Sequence, residues 1–127
     1  MTARAPRRPV DADTRRARLR SGRFAELLAA AALVAKGYRI LGRNVRTRAG
    51  EIDIIAVRGN RLAFVEVKRR LTSEAAEAAV SGHQADRIRS AADYWLARRP
   101  RYHAHEQGYD LMLLLPRRWP RHIENGL

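Results

Sequence analysis

The chain has 127 residues, 46% of them hydrophobic, no cysteine, and a formal net charge of +13 from 26 Lys+Arg against 13 Asp+Glu. That length suits one domain with a real core and no disulfide or structural metal, and the missing thiols exclude zinc knuckles, thiolate clusters and cysteine nucleophiles. The charge-poor stretch around Ala29 to Ala35, nine residues from Leu27, is far short of the ~20 apolar residues that span a bilayer.

The first nine residues lack the apolar segment of a secretory signal, so a cytoplasmic protein is expected. Base exceeding acid twofold is the footprint of a polyanion binder, because phosphate contacts release condensed counterions. The spacing predicts a basic, disordered arm over 1–13, a single domain over 14–116 and a basic C-terminal tail over 117–127.

Helix formers dominate from Thr14 to Ala35, and Gly37 sits where a C′ glycine would close the helix. Gly22, Glu26, Ala29, Ala30 and Leu33 share one side at the 3.6-residue period. A carboxylate on that apolar stripe calls for compensation.

A strand is predicted from Tyr38 to Arg46, with Ala49-Gly50 as the turn. Two β-branched runs follow, Glu51 to Val57 and Leu62 to Lys68, around a Gly59-Asn60 hairpin loop. Such a loop sets Val57 opposite Leu62, Ile55 opposite Phe64, Asp53 opposite Glu66 and Glu51 opposite Lys68. Opposed residues leave the same face with Cβ atoms about 4.5–5.5 Å apart. The other face carries Ile52, Ile54, Ala56, Ala63, Val65 and Val67 and requires a helix over it.

Residues 71–80 give no clear element. A second helix is predicted from Ser81 to Arg99, with Ile88, Ala91, Ala92, Trp95 and Leu96 as its buried stripe and Pro100 as its stop. A last strand runs from Tyr109 to Leu115. The order α-β-β-β-α-β predicts an α/β fold, a small mixed four-stranded sheet flanked by helices.

Asp53 facing Glu66 is the chemically informative pair. Like charges directly across a sheet destabilise it, and a fold that keeps them usually holds a cation. Mg²⁺ or Mn²⁺ is the expected ion, since such hard cations take one or two carboxylates plus waters and substrate phosphate. Lys68 leaves the same side of its strand as Glu66. It is one of only two lysines among 26 basic residues, and a lysine can give up a proton where an arginine cannot. The competing reading makes Lys68 an ordinary salt-bridge partner of Glu51. Glu26 could add a further ligand if the first helix packs over this face.

Gly22-x-x-x-Glu26, Gly37-Tyr38-Arg39-Ile40-Leu41-x-Arg43-Asn44, Gly50-Glu51-Ile52-Asp53-Ile54-Ile55-Ala56 and Phe64-Val65-Glu66-Val67-Lys68-x-Arg70 resemble the YraN-like family of small bacterial proteins. That family is similar to archaeal Holliday junction resolvases, within the PD-(D/E)xK, restriction-endonuclease-like nucleases. The resemblance implies a restriction-endonuclease-like fold and a divalent-metal-dependent endonuclease acting on DNA, with branched DNA as the narrower substrate. It assigns catalysis to Asp53, Glu66, Lys68 and Gln84, and metal binding to Glu26, Asp53 and Glu66. Arg43, Arg46, Arg69, Arg70 and Arg87 flank these motifs as nucleic-acid contacts. Resolvases serve two scissile strands, which further implies a homodimer.

Gln84 stands near a position where the family commonly has a lysine. It suits a substrate phosphate, and equally a capping box with Ser81. His103 and His105 lack a third ligand, His83 and His122 show no partner, and Trp95 reads as core. Trp119 reads either as a base-stacking residue or as an anchor for the tail. The alternative function is a non-catalytic nucleic-acid-binding or scaffold protein that keeps the nuclease fold. A third is a protein-interaction module with a basic surface.

Overall fold

The computed structural model describes residues 12–72, 74–75, 78 and 85–127. Helix α1 (Ala12–Ala35) starts two residues before the expected Thr14; the rest of the N-terminal arm lies outside the described residues. Its end is the predicted glycine cap. Gly37 takes φ +94°, its N–H bonds the Val34 carbonyl at 2.9 Å, and the Tyr38 N–H bonds the Leu33 carbonyl at 3.0 Å. This pair of bonds closes the orphan carbonyls of the last turn.

Strands β1 (Arg39–Thr47), β2 (Gly50–Arg58) and β3 (Arg61–Arg69) form an antiparallel meander. Then come α2 (Ala85–Ala97), a 3₁₀ turn (Pro100–Tyr102), β4 (Glu106–Leu114) and β5 (Arg121–Ile123). Strand β4 lies parallel to β3, which requires the crossover containing α2. Strand β5 returns antiparallel to β4. The sheet order is β1-β2-β3-β4-β5, so the α/β class stands, with five strands rather than four. Three residues are too few for a period-2 pattern to show, which is why the sequence predicts only a tail over 117–127. That tail is part of the sheet, and Leu127 packs on the core. No helix among the described residues is long and apolar enough to cross a membrane.

Each helix covers one face. Ala29, Ala30 and Leu33 of α1 are buried against Ile54, Ala56, Ala63 and Val65, the face for which the alternation required a cover. The predicted α2 stripe, Ile88, Ala91, Ala92, Trp95 and Leu96, is buried against Ile55, Val57, Leu62 and Phe64. Phe64 meets Trp95 edge-on at 5.9 Å and stacks on Tyr109 at 5.7 Å.

One end of the sheet is tied by a buried carboxylate. Asp110 is fully buried. The Arg61 guanidinium donates to both its oxygens at 2.6 and 2.8 Å, and the Asn125 N–H donates at 2.9 Å. His122 Nε2 lies 2.7 Å from Asp110, and Lys36 Nζ lies 2.5 Å from His122 Nδ1. An ammonium only donates, so the ring proton sits on Nε2, toward Asp110. His122 therefore has two partners where the sequence suggested none; one is 86 residues away, beyond any local signal.

Gly108 makes room for this network. A Cβ there would lie 2.2 Å from Arg61 Nη2, whose position is locked by Asp110 and Tyr38. Gly108→Ala is expected to displace the guanidinium and leave Asp110 buried without it, costing on the order of 3 kcal/mol. Thermal denaturation should show a drop on the order of 10 °C. An unchanged melting temperature would mean Arg61 is not locked there.

Candidate active site at the split between β2 and β3

The hairpin register holds where it was predicted, at Val57↔Leu62 and Ile55↔Phe64. The ladder then ends at Ile54↔Val65. Beyond that point β2 stays paired with β1 to Thr47↔Gly50, and β3 stays paired with β4 to Arg69↔Leu114. The two strands part, and neither Asp53↔Glu66 nor Glu51↔Lys68 forms as a ladder pair.

The split coincides with an irregularity on β1. Asn44 takes φ 55° between the pairs Arg43↔Ile54 and Val45↔Ile52. Ile54 packs with the α1-side core, whereas Ile52 packs with the α2-side core, contrary to the expected alternation. The strand thus changes face around Asp53. Such irregularities re-aim a side chain. Asp53 reaches into the split, where its Oδ2 accepts the Val67 N–H at 2.8 Å. A carboxylate replaces the missing rung.

Glu66 lines the same opening. Asp53, Glu66, Glu51, Gly50, Arg87 and Ile88 surround a cavity of about 330 Å³ between the strand ends and α2. Lys68 is buried, with Nζ 3.9 Å from Glu66 Oε1. Glu51 instead pairs with exposed Arg46 at 3.3 Å. The ordinary Glu51–Lys68 salt bridge is therefore absent, and Lys68 is left to the site.

The carboxyls here resist ionisation. Burial pushes Asp53 above its ordinary value and Glu51 adds to this, against the Val67 N–H and Lys68. Burial also raises Glu66, with Lys68 opposing and the Asp53 charge reinforcing. Glu26 is raised by burial and then by Asp53.

Helix α1 lies on the opposite face, so Glu26 is not among the residues lining the cavity, although it feels Asp53. Among the described residues no three acidic or histidine side chains stand close enough to hold a metal ion. Of the expected trio Glu26, Asp53 and Glu66, the last two line the cavity together, and Glu26 stands outside its lining within electrostatic reach of Asp53.

Of the arginines, Arg87 lines the cavity, Arg46 is engaged by Glu51, Arg43 and Arg69 are exposed, and half-buried Arg70 donates to the Arg69 carbonyl at 2.8 Å. Gln84 and His83 lie outside the described residues. His103 Nε2 sits 2.6 Å from the Leu96 carbonyl oxygen and His105 packs against Tyr102, so neither takes part in the site.

A family model described as Uncharacterised protein family UPF0102 matches residues 25–114. A UPF0102 protein of Mesorhizobium japonicum is 53% identical over 109 residues, 84% of this chain and 86% of the relative. One from Rhizobium meliloti is 48% identical over 115 residues, 90% and 94% of the two chains. One from Maricaulis maris is 50% identical over 101 residues, 80% of each. The matched span runs from the buried side of α1 through both cavity carboxylates to the end of β4, and this chain belongs to the UPF0102 family.

Proposed function

We propose that this chain is a divalent-metal-dependent nuclease that hydrolyses DNA phosphodiester bonds on a restriction-endonuclease-like fold. One observation carries the reading: Asp53 and Glu66, both with raised pKa, line one cavity where two strands part, with a buried lysine on Glu66. Half-buried like charges cost the fold stability unless a cation offsets them.

The donor set suits Mg²⁺ or Mn²⁺. Val67 occupies only Oδ2 of Asp53, and two carboxylates with waters and a phosphate oxygen complete such a shell without a third protein ligand. An ion held by Asp53 and Glu66 would neutralise charge on the phosphate and polarise the attacking water. The Val67 N–H fixes the orientation of Asp53. Lys68 offers ammonium N–H donors to the phosphate or the water. Arg87 brings a guanidinium to the cavity from α2, and Arg43, Arg46, Arg69 and Arg70 supply phosphate contacts around it. The same reading takes DNA as partner, branched DNA as preferred substrate and a homodimer as the form that serves paired strands.

A binding protein without turnover is the second reading, favoured by the absence of a three-ligand cluster among the described residues. The test is cleavage of duplex, flap and four-way-junction DNA with Mg²⁺ or Mn²⁺, comparing wild type with Glu66→Gln and Lys68→Met. Wild type is expected to cut, and both variants to bind DNA without cutting. Equal cleavage by all three preparations would contradict the assignment. Salt-sensitive DNA binding with no cleavage by any would favour binding alone.

A further inference from the structure

We infer that the groove on the α1 side of the β3 and β4 ends binds an unpaired DNA strand. The inference rests on the nuclease reading for its biological sense, and on a separate surface for its physics. The groove encloses about 320 Å³ between α1, the exit of β3 and the loop that joins β4 to β5. Phe24, Leu28, Leu114 and Leu115 give it apolar walls. Phe24 and Leu71 are left 62% and 78% exposed, more than burial alone would allow.

Arg69, Arg70, Arg117 and Arg118 also line it. No ion pair among the described residues engages any of the four. Apolar walls set among uncompensated guanidiniums complement a polyanion whose bases are exposed. Single strands fit that description; duplexes keep their bases stacked inside.

Trp119 stands beside the groove rather than in its lining. It sits between Arg118 and Pro120, which both line the groove, and is 68% exposed. The tail is held instead by β5 pairing with β4, so Trp119 is not its anchor. Arg69 lines the groove from β3, the strand that also carries Glu66 to the cavity. A DNA whose duplex reaches the cavity while its unpaired strand lies in this groove is flapped or branched, which makes that the preferred substrate class.

The experiment measures binding of the full chain to a fluorescein-labelled 20-nucleotide single strand and to the same sequence as a blunt duplex, in EDTA so that nothing is cut. Trp119→Ala and Phe24→Ala are expected to weaken single-strand binding about tenfold each, from lost base stacking, and to change duplex binding less than twofold. Tryptophan emission of wild type should be quenched by the single strand, and that of Trp119→Ala should not.

Unchanged single-strand affinity in both variants would overturn the inference. So would equal losses on both DNAs, or a homodimer, seen by sedimentation, that Trp119→Ala dissolves. Failure of the nuclease reading shows separately: the stacking effect would persist while Mg²⁺ and Mn²⁺ support no cleavage. Cleavage unaffected by Trp119→Ala on flap and duplex alike would sink the groove and leave the nuclease standing.

Discussion

Asp53→Asn is expected to abolish DNA cleavage while making the protein more stable. The amide keeps an oxygen to accept the Val67 N–H, so the split between β2 and β3 stays bridged. It removes the charge that a divalent ion requires, and losing several kcal/mol of charge stabilisation lowers the cleavage rate by at least about a thousandfold. The stability change has the opposite sign from an ordinary core mutation. The folded state holds Asp53 above its ordinary value of 3.8, so it binds the proton more tightly than the unfolded chain does. Ionisation therefore subtracts stability as pH rises past that value. Melting temperatures in EDTA should favour Asp53→Asn at pH 8 and converge with wild type near pH 3. A variant that loses both activity and stability would make Asp53 a structural bridge and nothing more.

Asp110→Asn is expected to be the most destabilising single substitution at the other end of the sheet. It leaves Arg61 and its neighbours without the carboxylate that holds them, and breaking a buried pair costs about 3–5 kcal/mol. The melting temperature should fall by on the order of 10–20 °C. Burial pushes the Asp110 carboxyl up, but hydrogen bonds from Arg61, His122 and the Asn125 N–H outweigh it and hold it down at about 2 against an ordinary value of 3.8. A depressed carboxyl stabilises the fold fully above the unfolded value and loses that contribution as pH falls toward the folded one. Wild type should thus lose about 2 kcal/mol between pH 4 and pH 2 from this group, and the variant should lose less. Denaturant titration at pH 6, 4 and 2 measures both. Arg61 opens β3 and Lys68 stands next to its last residue, Arg69, so the variant should still cut DNA at a temperature where it is folded. A flat pH dependence in wild type would contradict the network.

Local periodicity made most of the fold legible. The Gly59-Asn60 loop specifies Ile55↔Phe64 and Val57↔Leu62, and the α2 stripe from Ile88 to Leu96 follows the 3.6-residue period. The pairing rule fails two residues past Ile55, at Asp53, because a hairpin loop governs only the strand joined to it. Strand β3 is also claimed by β4, and β1 kinks at Asn44; neither neighbour is written in the hairpin. The site survives that failure in a different form. Asp53 and Glu66 line one cavity as walls of a gap, not as opposed rungs, while Glu26 on α1 is outside its lining. Strand β4 begins at Glu106, earlier than its hydrophobic run, because Gly108 lies beside Arg61, a requirement invisible in a polar Glu-Gln-Gly stretch. The Arg61, Asp110 and His122 network joins residues 12 and 49 positions apart, so no sequence window contains it.

The most direct measurement is anomalous diffraction from a crystal of the full chain soaked in Mn²⁺, with an Asp53→Asn crystal soaked alongside. A peak between the side chains of residues 53 and 66 in wild type, lost in the variant, is the predicted result. Density elsewhere, or none at that gap under millimolar manganese, would mean that these two acids hold no ion.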